Sequence, residues 1–472
     1  MSFAILAALG LCFGYAVLQR GGVGWGDWNL SLLAVGVLGC LHFSWRLIRR
    51  TDDTRIPGLD PLAGFSAAAV LCFVALQIVP LPTNLVRHIS PKRVELQEAA
   101  LSIEHLSQPQ ISSRFVTLSA VPHATAEYLL TISGYVLVFL LIRDLSLRLG
   151  KWPWAAAVPL LIVVGLEAAL GLFQVNASGV TGFATGTYAS RDHYAGLIEM
   201  VLPFPVMFAV ALLRRDRNRF EASAAAALKA SFLVAIAAIM LVAIILSLSR
   251  MGFLAALASL LVAGAAAGSL RTWDGSGYVE GRLRSWVPTA AVTFIVIVGF
   301  FFLPTNPLLA RFADISNTSD ISPDTRIQIW RDGMGLVKDY PLFGCGMGGF
   351  ESCFLKYKTV APMYTVDYAH NDYLQVMAEL GLFGFAAGLL FVGRLFAGAL
   401  RAVFHSGSAD GRHLAIACVA SMTAILLHSF VDFNMYVPAN GMLFAWIAGI
   451  SGIYLTRVQP RLRRQPRTSA IP

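Results

Sequence analysis

The chain is 472 residues long, 57% hydrophobic and only 13% charged, with a formal net charge of +9 and a mean hydropathy of +0.67. Soluble domains carry about 25% charged residues, so a soluble globular enzyme is excluded and an all-α polytopic membrane protein is expected. The positive charge calls for no nucleic-acid partner, because basic loops and a basic tail held against anionic lipid account for it.

A helix needs roughly 20 apolar residues to cross a hydrocarbon core of about 30 Å. Twelve stretches meet or approach that length: 3–18, 29–45, 61–80, 124–142, 154–175, 194–213, 229–247, 251–270, 287–304, 374–397, 412–431 and 437–456. The first two are short, so ten or eleven spans also satisfy the pattern. The expected organisation is nine transmembrane helices over 1–304 with an outer segment at 81–123, a large periplasmic loop with amphipathic helices at 305–372, three more transmembrane helices over 373–456, and a disordered basic tail at 457–472. The first stretch lacks a basic start and a small-x-small cleavage site, so it reads as a span rather than a leader. With the N-terminus in the cytoplasm, 23 of the 36 Lys and Arg residues fall in cytoplasmic segments, and the positive-inside rule places both termini there and the loop outside.

Of the six cysteines, Cys12, Cys40, Cys72 and Cys418 lie in apolar spans and read as small core residues. Cys345 and Cys353 lie in the outer loop and admit two readings, a disulfide or two free thiols. The outer segment SPKRVELQEAALSIEHL starts a helix at Ser90 and Pro91, with Val94, Leu96, Leu101 and Leu106 suited to the bilayer interface. Glu167 and Glu199 are acids within spans, so each must face the bundle interior and find a partner. Pro203 and Pro205 should kink the sixth span. Just before it, GTYASRDHYAG sets Arg191, Asp192 and His193 at a helix N-terminus, a favourable place for an anion, and a guanidinium fork there strengthens a grip on phosphate. Snorkelling of Arg191 to anchor the helix explains its position equally well. The tight hairpin ILSLSRMGF carries Arg250 to the outer surface with no acid nearby in sequence, which calls for an anionic partner, either lipid headgroup or one specific phosphate.

The longest polar interval runs from Asp324 to Gly384. Ile327, Trp330, Met334 and Val337 recur at helical spacing, which predicts an interfacial amphipathic helix capped by Ser322 or Asp324, with Arg326, Arg331 and Lys338 on its other faces. PLFGCGMGGF then gathers glycines, Gly346 and Gly348 among them, that permit a ligand to approach the backbone closely. No strand precedes it, so it is not a dinucleotide fingerprint. In AHNDYLQ the spacing of Asp372 and Gln375 suggests a capping pair, which gives Asn371 and Asp372 a structural reason and leaves His370 without one. The last outer turn, LLHSFVDFNMYVPAN, puts His428 and Asp432 at i and i+4, as a base dyad or a local anchor.

DTRIQIWRDGMGLVKDYPLFGCGMGGF followed by YAHNDYLQVMAELGLFG resembles the signature loop of the O-antigen ligase and O-antigen polymerase superfamily. GTYASRDHYAG, LSLSRMGF and HSFVDFNMYVPAN are similar to its other recurrent segments, so the resemblance covers roughly Thr181 to Asn440. It implies a glycosyltransferase of the GT-C type in the bacterial inner membrane, using an undecaprenyl-pyrophosphate-linked glycan as donor at the periplasmic face, with no metal or cofactor. Residue by residue, Arg191 and Arg250 match the family's arginines that hold the pyrophosphate, and His370 matches the histidine proposed as general base or acceptor-orienting group. Ser190 and Asp192 stand where relatives often carry Asn. Arg326, Arg331, Gly346, Gly348, Asn371 and Asp372 are further candidates for substrate or phosphate contact, and His193, His428 and Asp432 are secondary ones. The expected acceptor is lipid A-core, in lipopolysaccharide biosynthesis. The alternative is a polymerase acting on a growing O-antigen or exopolysaccharide. A lipid-linked glycan flippase is a more distant rival, since transporters place binding groups near the bilayer midplane and these candidates gather at one surface.

Overall fold

A computed structural model describes residues 1–48, 58–104, 114–178, 182–215, 220–273, 323–359 and 365–455. In chain order the helices are α1 (Ser2–Leu18), α2 (Trp25–Ile48), α3 (Pro61–Ile78), α4 (Thr83–Ile89), α5 (Pro91–Glu104), α6 (Pro122–Arg148), α7 (Val158–Ser178), α8 (Arg191–Val201), α9 (Pro203–Arg215), α10 (Phe220–Leu246), α11 (Arg250–Trp273), α12 (Pro323–Asp339), α13 (Phe350–Phe354), α14 (Asp372–His405), α15 (Ala409–His428) and α16 (Pro438–Ser451). Among the described residues nine helical stretches are long and apolar enough to cross a membrane: α2, α3, α6, α7, the consecutive pair α8 and α9, α10, α11, α14 and α15. Two of the twelve expected spans are shorter helices, α1 and α16. The stretch 287–304, the capping residue Ser322 and the tail lie outside the described residues.

The apolar surface is distributed as a bilayer demands. Leu33 and Leu41 of α2, Leu166 and Phe173 of α7, and Leu228 and Phe232 of α10 are exposed, each pair spaced to share one helix face. Inner faces close on small residues, which let backbones approach. A Cβ on Gly449 of α16 would stand 2.8 Å from Ile142 Cβ of α6. The short α16 is buried nearly throughout, which makes it an inner strut. Pro203 removes an N–H and separates α8 from α9 at Leu202. Glu167 finds its partner in Thr187, accepting from the backbone N at 2.6 Å and the hydroxyl at 3.0 Å. On α6, Asp144 gathers His42 at 2.7 Å and Arg46 at 2.6 Å, which ties α2 to α6, and Arg148 of its own helix at 2.7 Å.

The feature that seats the polar interval is a break in α14. Gly381 has φ 62° and ψ −169°, outside any helical region and open in practice only to glycine. The backbone groups freed there are taken up by residues 341–346. Leu382 N donates to Pro341 O at 2.8 Å and Phe383 N to Leu342 O at 3.3 Å, while Cys345 N and Gly346 N donate to Ala378 O and Glu379 O at 2.9 and 3.1 Å. Gln77 of α3, fully buried, pins the joint: its Nε2 donates to Phe343 O at 2.7 Å and Glu379 O at 2.9 Å, and its Oε1 accepts from Met347 N at 3.1 Å. Replacing it by Leu strands Phe343 O and Met347 N in a dry interior, where each unmade bond costs about 1–3 kcal/mol, and leaves Glu379 O with Gly346 N. Gln77→Leu is therefore expected to lower the melting temperature in detergent by several degrees, and an unchanged value would contradict this assignment.

Two expectations about amphipathic helices are corrected. α12 buries Ile329, Leu336 and Val337 against Phe350 and Phe354, whereas Ile327 and Met334 are exposed. Trp330 donates Nε1 to Ala369 O at 3.0 Å. Protein, more than bilayer, thus receives the apolar stripe. Likewise Val94 of α5 packs with Val86, Val116 and Leu118, under a cap closed by a two-residue antiparallel ladder that pairs Leu81 with Val116 and Pro82 with Phe115. Leu96 is exposed, and Leu106 lies outside the described residues.

Candidate functional site

Two helix N-termini meet at one end of the bundle. Ser190 caps α8, its Oγ accepting from Asp192 N at 3.3 Å, and Arg191 is the first helical residue, its guanidinium 5.0 Å from the Phe183 ring centroid. Ala184 N donates to Leu246 O at 2.8 Å, which fastens the preceding loop to the end of α10, beside the hairpin that leads into α11. That hairpin turns through Leu248 at φ 57°, and Arg250 is the first residue of α11. A Cβ on Gly252 would stand only 2.5 Å from Ala195 Cβ, so the openings of α8 and α11 are in contact. Arg191 and Arg250 therefore each stand at the positive end of a helix dipole, with the two helix starts side by side.

The start of α14 is built onto the turn that follows α15. Asp372 N donates to Ser429 O at 2.9 Å and Asp432 O at 3.1 Å, and its side chain accepts from Ser429 Oγ at 2.7 Å. The helix cap is Asn371, whose Oδ1 accepts from Leu374 N at 3.1 Å. The expected capping pair is thus corrected. Asp372 is buried in the turn, and Gln375 reaches back to Ala369 N, at 2.6 Å. Trp330 holds the carbonyl of the same residue. His370 follows directly with φ 49°, a left-handed conformation that a non-glycine residue adopts only when its surroundings impose it.

What the strained backbone achieves is a contact. His370 Nδ1 lies 3.6 Å from Asp432 Oδ1, while His193 Nε2 at 3.6 Å and His428 Nε2 at 3.9 Å face Asp432 Oδ2. Three imidazoles from three helix ends surround one carboxylate that is 3% exposed. These separations are charge contacts somewhat longer than hydrogen bonds; among the described residues, His193 Nε2, His370 Nδ1 and Asp432 Oδ2 have no hydrogen-bond partner. Buried polar atoms left this way call for an explanation. Burial pushes the Asp432 carboxyl up, but His193, with His370 and His428, overrides it and holds it well below the usual carboxylate range. Phe433 wedges the ring in place, with its centroid 4.6 Å from His193, 4.9 Å from His370 and 4.1 Å from Tyr368.

The pairing of His428 with Asp432 as i and i+4 on a helix is corrected, because α15 ends at His428. The short contact of that histidine is Glu199 of α8, whose Oε1 lies 3.0 Å from Nδ1. Arg326 joins the group, donating Nη1 to Val431 O at 2.8 Å and facing Asp192 at 4.0 Å. Arg331, five residues further along α12, is exposed. Gly346 and Gly348 do have the left-handed φ that glycine allows, 106° and 75°, but a Cβ on Gly346 would lie 2.2 Å from Ser119 Oγ and one on Gly348 2.5 Å from the Tyr128 ring. The close approach they permit is to protein. Phe433 was not singled out, and Glu199 and Gln375 were marked only as an intramembrane acid and a capping residue; no local pattern assigns any of them to the site, since what they pack around comes from distant segments.

Residues 235–389 match a family model described as O-Antigen ligase. That stretch contains Arg250, Arg326 and His370; Arg191, His193, His428 and Asp432 lie outside it. No curated protein matches the chain.

Proposed function

We propose that this chain, whose residues 235–389 match a family model described as O-Antigen ligase, is a member of that superfamily and transfers a glycan from undecaprenyl pyrophosphate to an acceptor hydroxyl at the periplasmic face of the inner membrane, with both termini cytoplasmic. The observation that carries the chemistry is His370 directed at Asp432 beside the two arginine-bearing helix starts. A carboxylate charge 3.6 Å from Nδ1 favours the tautomer with the proton on that nitrogen, which leaves Nε2 free to take a proton. The acceptor oxygen attacks the anomeric carbon, its proton passes to His370 Nε2, and the bond from that carbon to the pyrophosphate oxygen breaks. The leaving group gains negative charge as it departs, and Arg191 and Arg250, each at a helix N-terminus, offset that charge. A single direct displacement inverts the anomeric centre.

Ligation to lipid A-core and polymerisation of a growing glycan share this donor chemistry and differ in acceptor. The surface glycan of a deletion strain separates them. Bare core with polymer left on the lipid carrier indicates a ligase, a single repeat unit on core indicates a polymerase, and an unaltered surface glycan overturns both. Within either, Arg250→Ala is expected to lower transfer by about two to three orders of magnitude, the range seen on removing one preorganised transition-state donor. Arg250→Lys should recover only part, since an ammonium lacks the planar fork. Wild-type transfer by the alanine variant would remove Arg250 from the site.

A further inference from the structure

Cys345 and Cys353 are both buried in the small core formed with Ile329, Leu336, Phe350 and Phe354. Backbone geometry brings their sulfurs to one place. A Cβ on Gly349 would stand 3.4 Å from Cys345 Sγ, and Gly349 O accepts from Cys353 N at 3.0 Å, so Cys353 lies one helical turn from that spot, where side chains four apart share a face. The Cys345 thiol donates to Gly346 O at 3.8 Å, and the two free thiols lie close enough to influence each other. Arg93 is held next to them: its Nε donates to Ser119 O at 3.0 Å, and Ala120 N in turn donates to Cys345 O at 2.8 Å. The neighbouring Cys345, aided by the Arg93 guanidinium and opposed by burial, holds the Cys353 thiol below its usual value, and Cys353 together with burial pushes Cys345 up.

We propose that Cys345 and Cys353 are joined as a disulfide in the mature protein, tying the glycine-rich turn to α13 across the break in α14. This rests on the reading that this face of the bundle is extracytoplasmic, where disulfides persist. The oxidant is an extracytoplasmic thiol-exchange protein that carries a disulfide. Before the turn is buried, Cys353 loses its proton and attacks one sulfur of that disulfide, releasing the other as a thiol. Cys345 then loses its proton and attacks Cys353 Sγ, expelling the oxidant's bonded sulfur. Two electrons and two protons pass to the oxidant, which leaves as a dithiol.

The test uses the full chain in its own membrane, denatured directly into an alkylating reagent without reductant, then digested and weighed. The peptide or peptide pair carrying Cys345 and Cys353 should be lighter by two hydrogens and unlabelled until reduced, while Cys12, Cys40, Cys72 and Cys418 label at once. Cys345→Ser should leave Cys353 open to label without reduction. Label on both cysteines of the unreduced wild-type chain overturns the proposal. Lys356, its side chain 62% exposed, reports the orientation through a membrane-impermeant amine reagent applied to spheroplasts. Lys356 labelled with both thiols free sinks the disulfide alone. Lys356 labelled only after the membrane is opened sinks the disulfide and the extracytoplasmic reading together.

Discussion

His370→Ala should abolish glycan transfer while the protein accumulates normally, a loss of about 10²–10⁴-fold, the usual contribution of a positioned proton acceptor. The substitution removes no large packing volume, and it relieves the left-handed strain only in part, since alanine keeps its Cβ. Asp432→Asn should reproduce most of the loss by another route. Asn keeps the shape but withdraws the charge that favours this His370 tautomer, so turnover should fall while the donor KM stays within a few-fold. A merely structural Asp432 would instead change abundance or both constants together, and wild-type turnover in the Asn variant would remove it from the proposed relay. The pH dependence has a definite sign. Asp432 has its carboxyl held below the usual range, so the stability this charge contributes is complete above the ordinary carboxylate range and is lost only as pH falls through the lower folded-state value. The carboxylate facing His370 is therefore present throughout neutral pH.

Gly381→Ala should be among the most damaging single substitutions in the fold. Its φ of 62° with ψ of −169° costs a non-glycine residue about 1–3 kcal/mol. In addition, the new Cβ would lie 2.4 Å from Leu342 C and 2.6 Å from Gly344 N, backbone atoms that cannot swing aside. Residues 341–346 would have to lift from the break, forfeiting the hydrogen bonds that seat them. The control lies on the same helix. Gly388 and Gly393 have nothing within 4 Å of an added Cβ, so alanine there should be neutral or stabilising, by up to about 1 kcal/mol. Melting curves of the three variants in one detergent decide the matter, and equal stability of the 381 and 388 variants would refute this account of the break.

Membrane character was legible because hydropathy over some 20 residues is a one-dimensional property. Helix starts were partly legible for the same reason, as at Arg191 and Pro91. Reading failed where the answer depended on a distant partner. Ile327, Trp330, Met334 and Val337 correctly announced an amphipathic helix, but the partners of α12 are the cluster around Phe350 and Phe354, and those select Ile329 and Leu336. At Asp432 the i+4 spacing from His428 was true of the numbering and misleading about the geometry, because the helix stops at His428 and the carboxylate turns toward His193 and His370. Glycines 346 and 348 were recognised as sites of close approach. Sequence offered no means of learning that Ser119 and Tyr128 would be what approached.

A break in a long helix is commonly taken for a hinge. The one in α14 has no free joint. Its exposed backbone groups are engaged by residues 341–346, and Glu379 just before it accepts from Phe350 N at 3.3 Å and from Gln375 Nε2 at 3.0 Å, with Gln375 in turn gripping Ala369 N beside His370. The break acts as a bracket, carrying rigidity from α3 to the histidine. On the proposed mechanism, substrates come to an imidazole that is already aimed.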